Sequence, residues 1–258
     1  MKSSIKLLST LIIAATCNLQ AAPLMQEDFF YSGTQANRPP IQDYEGWNIY
    51  FSGDGSSPTQ SGFTDNTPTA SVAEAQSSTG AFDEGTPGVA YFYYGAANQA
   101  RSFFMTHTLA DPVAQNTPSL AFDWWYGTQS TNGQVRLAVE IGGNWYVGTD
   151  AFSSTTATAT AQMETQGQRA TVAFDSSAEN WADFSFTQGS SFDVFNSVLP
   201  RETALPSGDI TAFGFYSYNP NDGNILGTSI DSVQVIPEPG TLALVAIALG
   251  CLLFFRRK

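Results

Sequence analysis

Four side chains near the middle of the sequence have the chemical types that bind sugars. Trp125 offers a flat apolar ring that can stack on a pyranose face, and Asp123, Arg136 and Glu140 offer charged groups that can hydrogen-bond to ring hydroxyls. Alternate residues of a strand share a face, so Asp123 lies on the side of Trp125, and Arg136 on the side of Glu140. The alternative is structural: Trp125 lies under a second sheet or a loop, and the arginine and glutamate form a surface ion pair.

These residues belong to two predicted strands joined by a turn. Residues 119–126 and 135–141 alternate apolar with polar side chains, which is typical of strands with one buried face. Between them, Asn132-Gly133 is the strongest hairpin signal in the chain, because both residues tolerate positive φ. Together with the strand that follows Gly142-Gly143, they predict a three-stranded antiparallel meander over residues 119–148. In that meander the four side chains of the candidate site lie close together.

Two adjacent tryptophans fix which face of the first strand is buried. Trp124 shares its face with the apolar Leu120, Phe122 and Tyr126. We therefore predict that Trp124 lies in the core and that Trp125 lies on the opposite face, near solvent or under a loop.

The remaining chain predicts many short strands. Strand-like runs occur at residues 89–94, 101–109, 170–174, 181–186, 209–218 and 225–236. In the last run the alternation shifts phase at Asp231-Ser232, which predicts a β-bulge. Residues 52–88 are poor in large apolar side chains and predict a long loop. The pattern favours an all-β fold, an antiparallel β-sandwich, and its texture resembles the lectin-like jelly-roll domains of the concanavalin A-like kind.

Enzymatic chemistry has little support in the sequence. His107 is the only histidine and is expected to be a strand residue on or beside the core, and no G-x-S-x-G elbow is present. Both cysteines, Cys17 and Cys251, lie in the terminal apolar segments, so the region between them cannot build a zinc site with one histidine. The compact acidic strand motif Glu-x-Asp-x-Glu of concanavalin A-like glycosidases is missing. We therefore predict a non-enzymatic protein without a cofactor or metal.

Calcium is the one metal left open. Residues 219–224 (Asn-Pro-Asn-Asp-Gly-Asn) and Asp54-Gly55 carry oxygen ligands of the kind that calcium prefers. The same residues are ordinary turn formers, and neither segment completes a recognised calcium loop.

Charge excludes one class of partner. Residues 22–236 contain five arginines, no lysine and 22 carboxylates, a formal net charge of −17. Nucleic-acid binding depends on basic contacts to phosphates, so no nucleic-acid partner is expected. The acidic surface is typical of a solvated extracellular domain.

Both ends of the chain carry targeting patterns. Lys2 and Lys6 precede an apolar run and small residues, which predicts a signal peptide over residues 1–21. Residues 241–255 are uncharged and span about 22 Å as a helix. This is short of the roughly 30 Å hydrocarbon core, but the basic side chains that follow can extend it by snorkelling.

The C-terminal segment has three parts in order: Pro237, Glu238 and Pro239, then the apolar run, then a basic stop formed by Arg256, Arg257 and Lys258. It resembles the PEP-CTERM sorting signal. That resemblance implies recognition and cleavage by an exosortase, a membrane protease-like enzyme, in a Gram-negative envelope that often makes exopolysaccharide. The basic residues favour the cytoplasmic side of the membrane.

The resulting organisation is a signal peptide (1–21), a β-sandwich ectodomain (22–236) and a sorting signal with a transmembrane helix (237–258). The sequence predicts export, anchoring in the inner membrane with the ectodomain outside the cytoplasm, and release to the cell surface or extracellular matrix after processing. The alternatives to a non-enzymatic envelope protein are a carbohydrate-binding, lectin-like module that binds exopolysaccharide and, third, an enzyme acting on polysaccharide.

Overall fold

Runs with alternating apolar and polar side chains form strands in the computed structural model, as their two-residue period dictates. It describes residues 22–29, 41–53, 69–73, 89–94, 101–117, 120–128, 130–155, 167–186, 198–219 and 226–237. The strands are β1 (Met25–Glu27), β2 (Trp47–Gly53), β3 (Thr69–Ala73), β4 (Val89–Tyr94), β5 (Arg101–Ala114), β6 (Leu120–Thr128), β7 (Gln134–Ile141), β8 (Asn144–Gly148), β9 (Gln168–Ala173), β10 (Trp181–Phe184), β11 (Asp209–Asn219) and β12 (Leu226–Pro237).

The strands form two antiparallel sheets. Sheet A has the order β3-β4-β12-β6-β9, and β1 also pairs with β12. Sheet B has the order β10-β8-β7-β11-β5-β2. The chain passes from one sheet to the other at eight of its connections: β1 to β2, β2 to β3, β4 to β5, β5 to β6, β6 to β7, β8 to β9, β9 to β10 and β11 to β12. The predicted all-β antiparallel sandwich of the jelly-roll kind is therefore confirmed.

The core lies between the sheets and contains the residues that the period-two pattern placed there. Trp124 from sheet A contacts Phe152 and Phe215, with ring centroids 5.2 and 5.0 Å apart. On β7 the inward side chains are Val135, Leu137, Val139 and Ile141, all buried.

The predicted meander over residues 119–148 is wrong in its first half. β6 pairs with β12 and β9 in sheet A, whereas β7 pairs with β11 and β8 in sheet B. The turn at Asn132-Gly133 therefore leads from one sheet to the other instead of closing a hairpin. Its hydrogen bonds hold it against the end of β6: Thr128 donates to the Ser130 carbonyl at 2.6 Å, and the Gly133 amide donates to the same carbonyl at 3.0 Å.

The second half of the meander is confirmed. β7 and β8 are antiparallel neighbours, with Ile141 opposite Asn144 across a two-residue loop. Gly142 and Gly143 have φ of 60° and 78°, which are the positive values that a type I′ hairpin turn needs at both positions.

The bulge predicted at Asp231-Ser232 is also present. The register of β12 against β6 shifts between Asp231 and Gln234, and Ser232 has φ of 46°. Ile230 before the bulge and Val233 after it both point into the core, fully buried. The extra residue thus restores the apolar face after the phase shift in the sequence.

The segment predicted as a loop over residues 52–88 contains β3, whose Ala70 lies opposite Phe92 of β4. Residues 69–73 are mostly small and present no large apolar face, so the sequence gives no strand signal there. They form a strand because they pair with β4. Among the residues that the structure describes, no helix is long and apolar enough to cross a membrane. The predicted signal peptide and transmembrane helix lie outside the described residues.

Candidate functional site on the outer face of sheet A

Trp125 lies on the outer face of sheet A, as predicted. It is half-buried, and its strand neighbours are Arg169 on β9 and Asp231 on β12. The Trp125 ring packs against Val89 of β4, as does Tyr91 of the same strand. Two aromatic side chains and two charged ones therefore surround this part of the sheet.

Asp123 lies one step along the same face and is 3% exposed. Its carboxylate accepts hydrogen bonds from Nε of Arg169 at 2.9 Å, from Nη2 of the same arginine, and from the Thr171 hydroxyl at 2.6 Å. A fork-shaped pair of this kind fixes the direction of the guanidinium group. The Arg169 side chain remains 53% exposed, so one side of the pair faces water.

Arg136 and Glu140 do not join this site, because β7 lies in the other sheet. Arg136 is buried and donates to the carbonyls of Gly148 (3.2 Å) and Thr149, which lie at the end of β8. Burial lowers the pKa of its guanidinium group. Glu140 Oε2 accepts a hydrogen bond from the Thr211 hydroxyl at 2.7 Å. The expected juxtaposition of the four side chains is thus wrong, and the arginine beside Trp125 is Arg169.

Sequence reasoning missed Arg169 because β9 is far from β6 in the chain. The sequence predicts a strand over residues 170–174 and no neighbour for it, whereas β9 spans Gln168–Ala173 and includes Arg169. The one signal in the sequence is that an arginine and Thr171 lie on the same face of β9, as two donors for a buried carboxylate do.

Sheet B has a second apolar cluster on its outer face, which the sequence did not reveal. Phe104 and Tyr216 are fully buried there, and Phe186, which follows β10, lies over them with its ring centroid 5.0 Å from that of Phe104. The Tyr216 hydroxyl forms a 2.8 Å hydrogen bond with Ser102. Sheet B is therefore apolar on both faces around its centre.

His107 lies on β5, beside the core as predicted. Its ring centroid is 4.9 Å from that of Trp47, and burial lowers the pKa of the imidazole. Gly46 has φ of 79°, and a Cβ there would lie 2.9 Å from His107 Nε2. The histidine also lines a cavity of about 340 Å³ together with Leu24 and Asp111. Within the described ranges, no three His, Cys, Asp or Glu side chains converge to hold a metal ion.

The C-terminal signal begins inside the folded domain. Pro237 is the last residue of β12 and lies opposite Leu120 of β6. Glu238, Pro239 and the basic residues Arg256, Arg257 and Lys258 lie outside the described residues, as do Asp54-Gly55 and residues 220–224.

The comparison with protein families decides what this segment is. Residues 235–258 match the family model described as the PEP-CTERM protein-sorting motif. This chain carries a PEP-CTERM sorting motif. The motif implies an exported precursor, and the match spans only the last 24 residues, so it leaves the ectodomain unassigned. No curated protein matches the chain in sequence.

Three examples show which solved structures have a similar arrangement of strands. The family 11 carbohydrate-binding module of Clostridium thermocellum is 11% identical over 83% of this chain and 95% of its own, with a TM-score of 0.43. The CBM22-1 xylan-binding domain of Paenibacillus barcinonensis is 11% identical over 85% and 97%, with a TM-score of 0.38. A Stig cyclase of Fischerella sp. TAU is 15% identical over 75% and 85%, with a TM-score of 0.41. Binding modules and an enzyme occur together at these levels of similarity, so no ligand follows from them.

Proposed function

We propose that this chain is a non-enzymatic protein of the cell envelope or extracellular matrix, which reaches its destination through the PEP-CTERM signal. The observation that carries the proposal is the match of residues 235–258 to that sorting motif. An exosortase-type enzyme is the partner that recognises Pro237, Glu238 and Pro239. The apolar segment 241–255 holds the precursor in the inner membrane, and Arg256 to Lys258 stop it there.

The ectodomain chemistry supports a non-enzymatic role. His107, the only imidazole in the chain, packs against Trp47, and its burial lowers the pKa and so favours the neutral form. The Asp123 carboxylate accepts hydrogen bonds from Arg169 and Thr171, and the Glu140 carboxylate accepts one from Thr211. These carboxylates hold strands together, which is a structural use of the acidic residues that the candidate site contained.

The sorting proposal is tested by two changes in the signal, made in the full-length protein in a host that carries an exosortase. Glu238→Ala, or deletion of Arg256 to Lys258, is expected to leave unprocessed precursor in the inner membrane. Glu202→Ala changes an exposed glutamate in a loop of the ectodomain and serves as the matched control. Processing and localisation are followed by fractionation and immunoblotting. If both signal variants are processed like the parent chain, the sorting role is wrong.

A second candidate function is glycan binding on the outer face of sheet A. Trp125 and Tyr91 provide aromatic surface there, and the half-exposed Arg169 is held in place by Asp123. A sugar ring can stack on an indole while an oriented guanidinium group donates hydrogen bonds to its hydroxyls. Exopolysaccharide of the producing cell is the proposed ligand. Of the four side chains in the candidate site, Trp125 contacts the sugar and Asp123 positions Arg169.

A glycan array on the mature protein tests this candidate. Trp125→Ala is expected to abolish binding, and Arg169→Lys to weaken it, because an ammonium group cannot form the fork with Asp123. Trp145→Ala is the matched control: this tryptophan is also half-buried but lies on the outer face of sheet B. Equal binding by the Trp125→Ala variant, or no glycan bound by the parent, removes glycan binding and leaves the sorting role untouched.

A further inference from the structure

The sorting motif is joined to the folded domain without a linker. The register of β12 against β6 continues through Ile236, opposite Ala121, to Pro237, opposite Leu120. The first proline of Pro-Glu-Pro is thus the last residue of a central strand. From Pro237 to Thr241, where the apolar run begins, four extended residues reach at most about 14 Å. The sandwich therefore lies close to the membrane in the precursor.

The last residues of β12 are held from both sides. β6 occupies one hydrogen-bonding edge of β12 from Thr228 to Pro237. The other edge pairs with β4 over Leu226–Ile230 and with β1 over Val233–Val235. The strand β1 therefore completes the sheet next to the motif, where β4 has ended.

Side chains anchor the same end. Val233 and Val235 point into the core and are both 0% exposed, whereas Ile236 and Pro237 are half-buried. The Leu24 amide donates to the Val235 carbonyl at 2.7 Å, which extends the contact between the N-terminal segment and β12. Opening the strand by more than its last two residues withdraws Val235 from the core.

A protease-like enzyme takes its substrate as an extended chain with residues bound on both sides of the motif. Residues on the N-terminal side of Glu238 are the ones that β1 and β6 hold. We propose that β1 is a clasp on the motif-proximal end of β12, where it pairs with Val233–Val235, and that the clasp has to open before the sorting enzyme can bind the motif. This inference rests on the sorting function proposed above. The processing rate is then proportional to the fraction of molecules with the clasp open.

A disulfide can lock the clasp. Gln26 lies directly opposite Gln234, neither side chain is buried, and residues 22–236 contain no cysteine that would compete. Directly opposed strand residues have Cβ atoms close to the separation that a disulfide requires. The variant is Gln26→Cys with Gln234→Cys in the full-length chain. The control is Ala114→Cys with Asp209→Cys, an opposed and exposed pair that joins β5 to β11 without touching β12.

A pulse-chase experiment in exosortase-containing cells measures conversion of precursor to processed protein. We expect the oxidised clasp variant to be processed at least about fivefold more slowly, since the open fraction falls, and a reductant to restore the rate. The control pair is expected to process like the parent in both conditions. Insertion of Gly-Ser-Gly-Ser between Ile236 and Pro237, which keeps Pro-Glu-Pro intact, is expected to accelerate processing.

The two proposals fail in different ways. If Glu238→Ala blocks processing while the locked, linker-containing and parent chains are processed at one rate, the sorting function stands and the clasp is wrong. If Glu238→Ala is processed normally, the sorting function falls. The clasp rests on that function, so it then falls with it.

Discussion

Asp123 and Arg169 are 46 residues apart in the chain and form a two-pronged ion pair across neighbouring strands. The pair is asymmetric, because the Asp123 side chain is buried and that of Arg169 is about half exposed. A buried carboxylate that loses its cation is costly, whereas a guanidinium group at the surface can return to water.

This asymmetry predicts which of two substitutions destabilises the fold more. Arg169→Ala is expected to lower the free energy of unfolding by about 3 kcal/mol, since it leaves the Asp123 carboxylate with Thr171 as its remaining side-chain donor. Asp123→Ala is expected to cost about 1–2 kcal/mol. Urea denaturation of both single variants and the double variant gives the coupling energy. A larger cost for Asp123→Ala contradicts the assignment.

The two adjacent tryptophans give a second prediction. Trp124→Ala removes a fully buried ring from the core and is expected to cost about 3–5 kcal/mol. Trp125→Ala removes a half-buried ring that packs against Val89, and is expected to cost less than half as much. Denaturant melts of the two variants measure the difference. If Trp125→Ala is the more destabilising, the faces of β6 are reversed.

A third prediction concerns acid. Burial lowers the pKa of His107 from its ordinary 6.5, so the folded state prefers the neutral imidazole. The histidine therefore stabilises the fold fully above about pH 6.5, and this contribution is lost as pH falls from there towards the lower folded-state pKa.

His107→Phe, which keeps an aromatic ring beside Trp47 and Phe213, is expected to reduce this loss of stability. The free energy of unfolding is measured for both proteins at several values between about pH 7.5 and 5. Burial raises the pKa of Glu27, which acts in the opposite direction in both proteins, so the difference between them isolates the histidine. Parallel pH profiles are the outcome that contradicts the prediction.

The bulge in β12 gives the fourth prediction. Ser232 has φ of 46°, a region in which a β-branched side chain is strained. Ser232→Val is expected to destabilise the fold by about 1–2 kcal/mol, and Ser232→Gly to be neutral or stabilising. Gln234→Val, in the regular part of the strand, is the control and is expected to have little effect. Thermal unfolding of the three variants measures the order, and equal melting temperatures for the two valine variants would show that the bulge carries no strain.

Much of the fold follows from local pattern. The two-residue period placed Trp124 and the inward side chains of β7 in the core, and the phase shift before Val233 located the bulge. Gly142-Gly143 indicated a turn, because glycine readily adopts the positive φ that a type I′ hairpin needs at both positions. Each of these signals spans only a few residues, and over that distance backbone sterics and side-chain direction determine the local structure.

The candidate site shows what local pattern does not contain. Asn132-Gly133 marks a reversal of the chain, but no local signal states whether the next strand pairs with the previous one or crosses to the other sheet. That choice depends on the edges of β6, which β12 and β9 occupy, and on the burial of both sheets against each other. The arginine beside Asp123 and Trp125 is therefore the distant Arg169, whereas Arg136, which the predicted hairpin brings into the candidate site, lies in the other sheet.

The sequence by itself determined the sorting motif, the strand character of the ectodomain and the faces of its strands, because a linear signal is read as an extended chain and because side-chain alternation is a property of the backbone. Only the tertiary structure decided which strands are neighbours, which charges pair, and that Val233–Val235, just before the sorting motif, lie between β1 and β6. All strand edges compete for hydrogen-bonding partners and for buried area. Which strands pair therefore depends on the free energy of the whole fold, and not on any one segment.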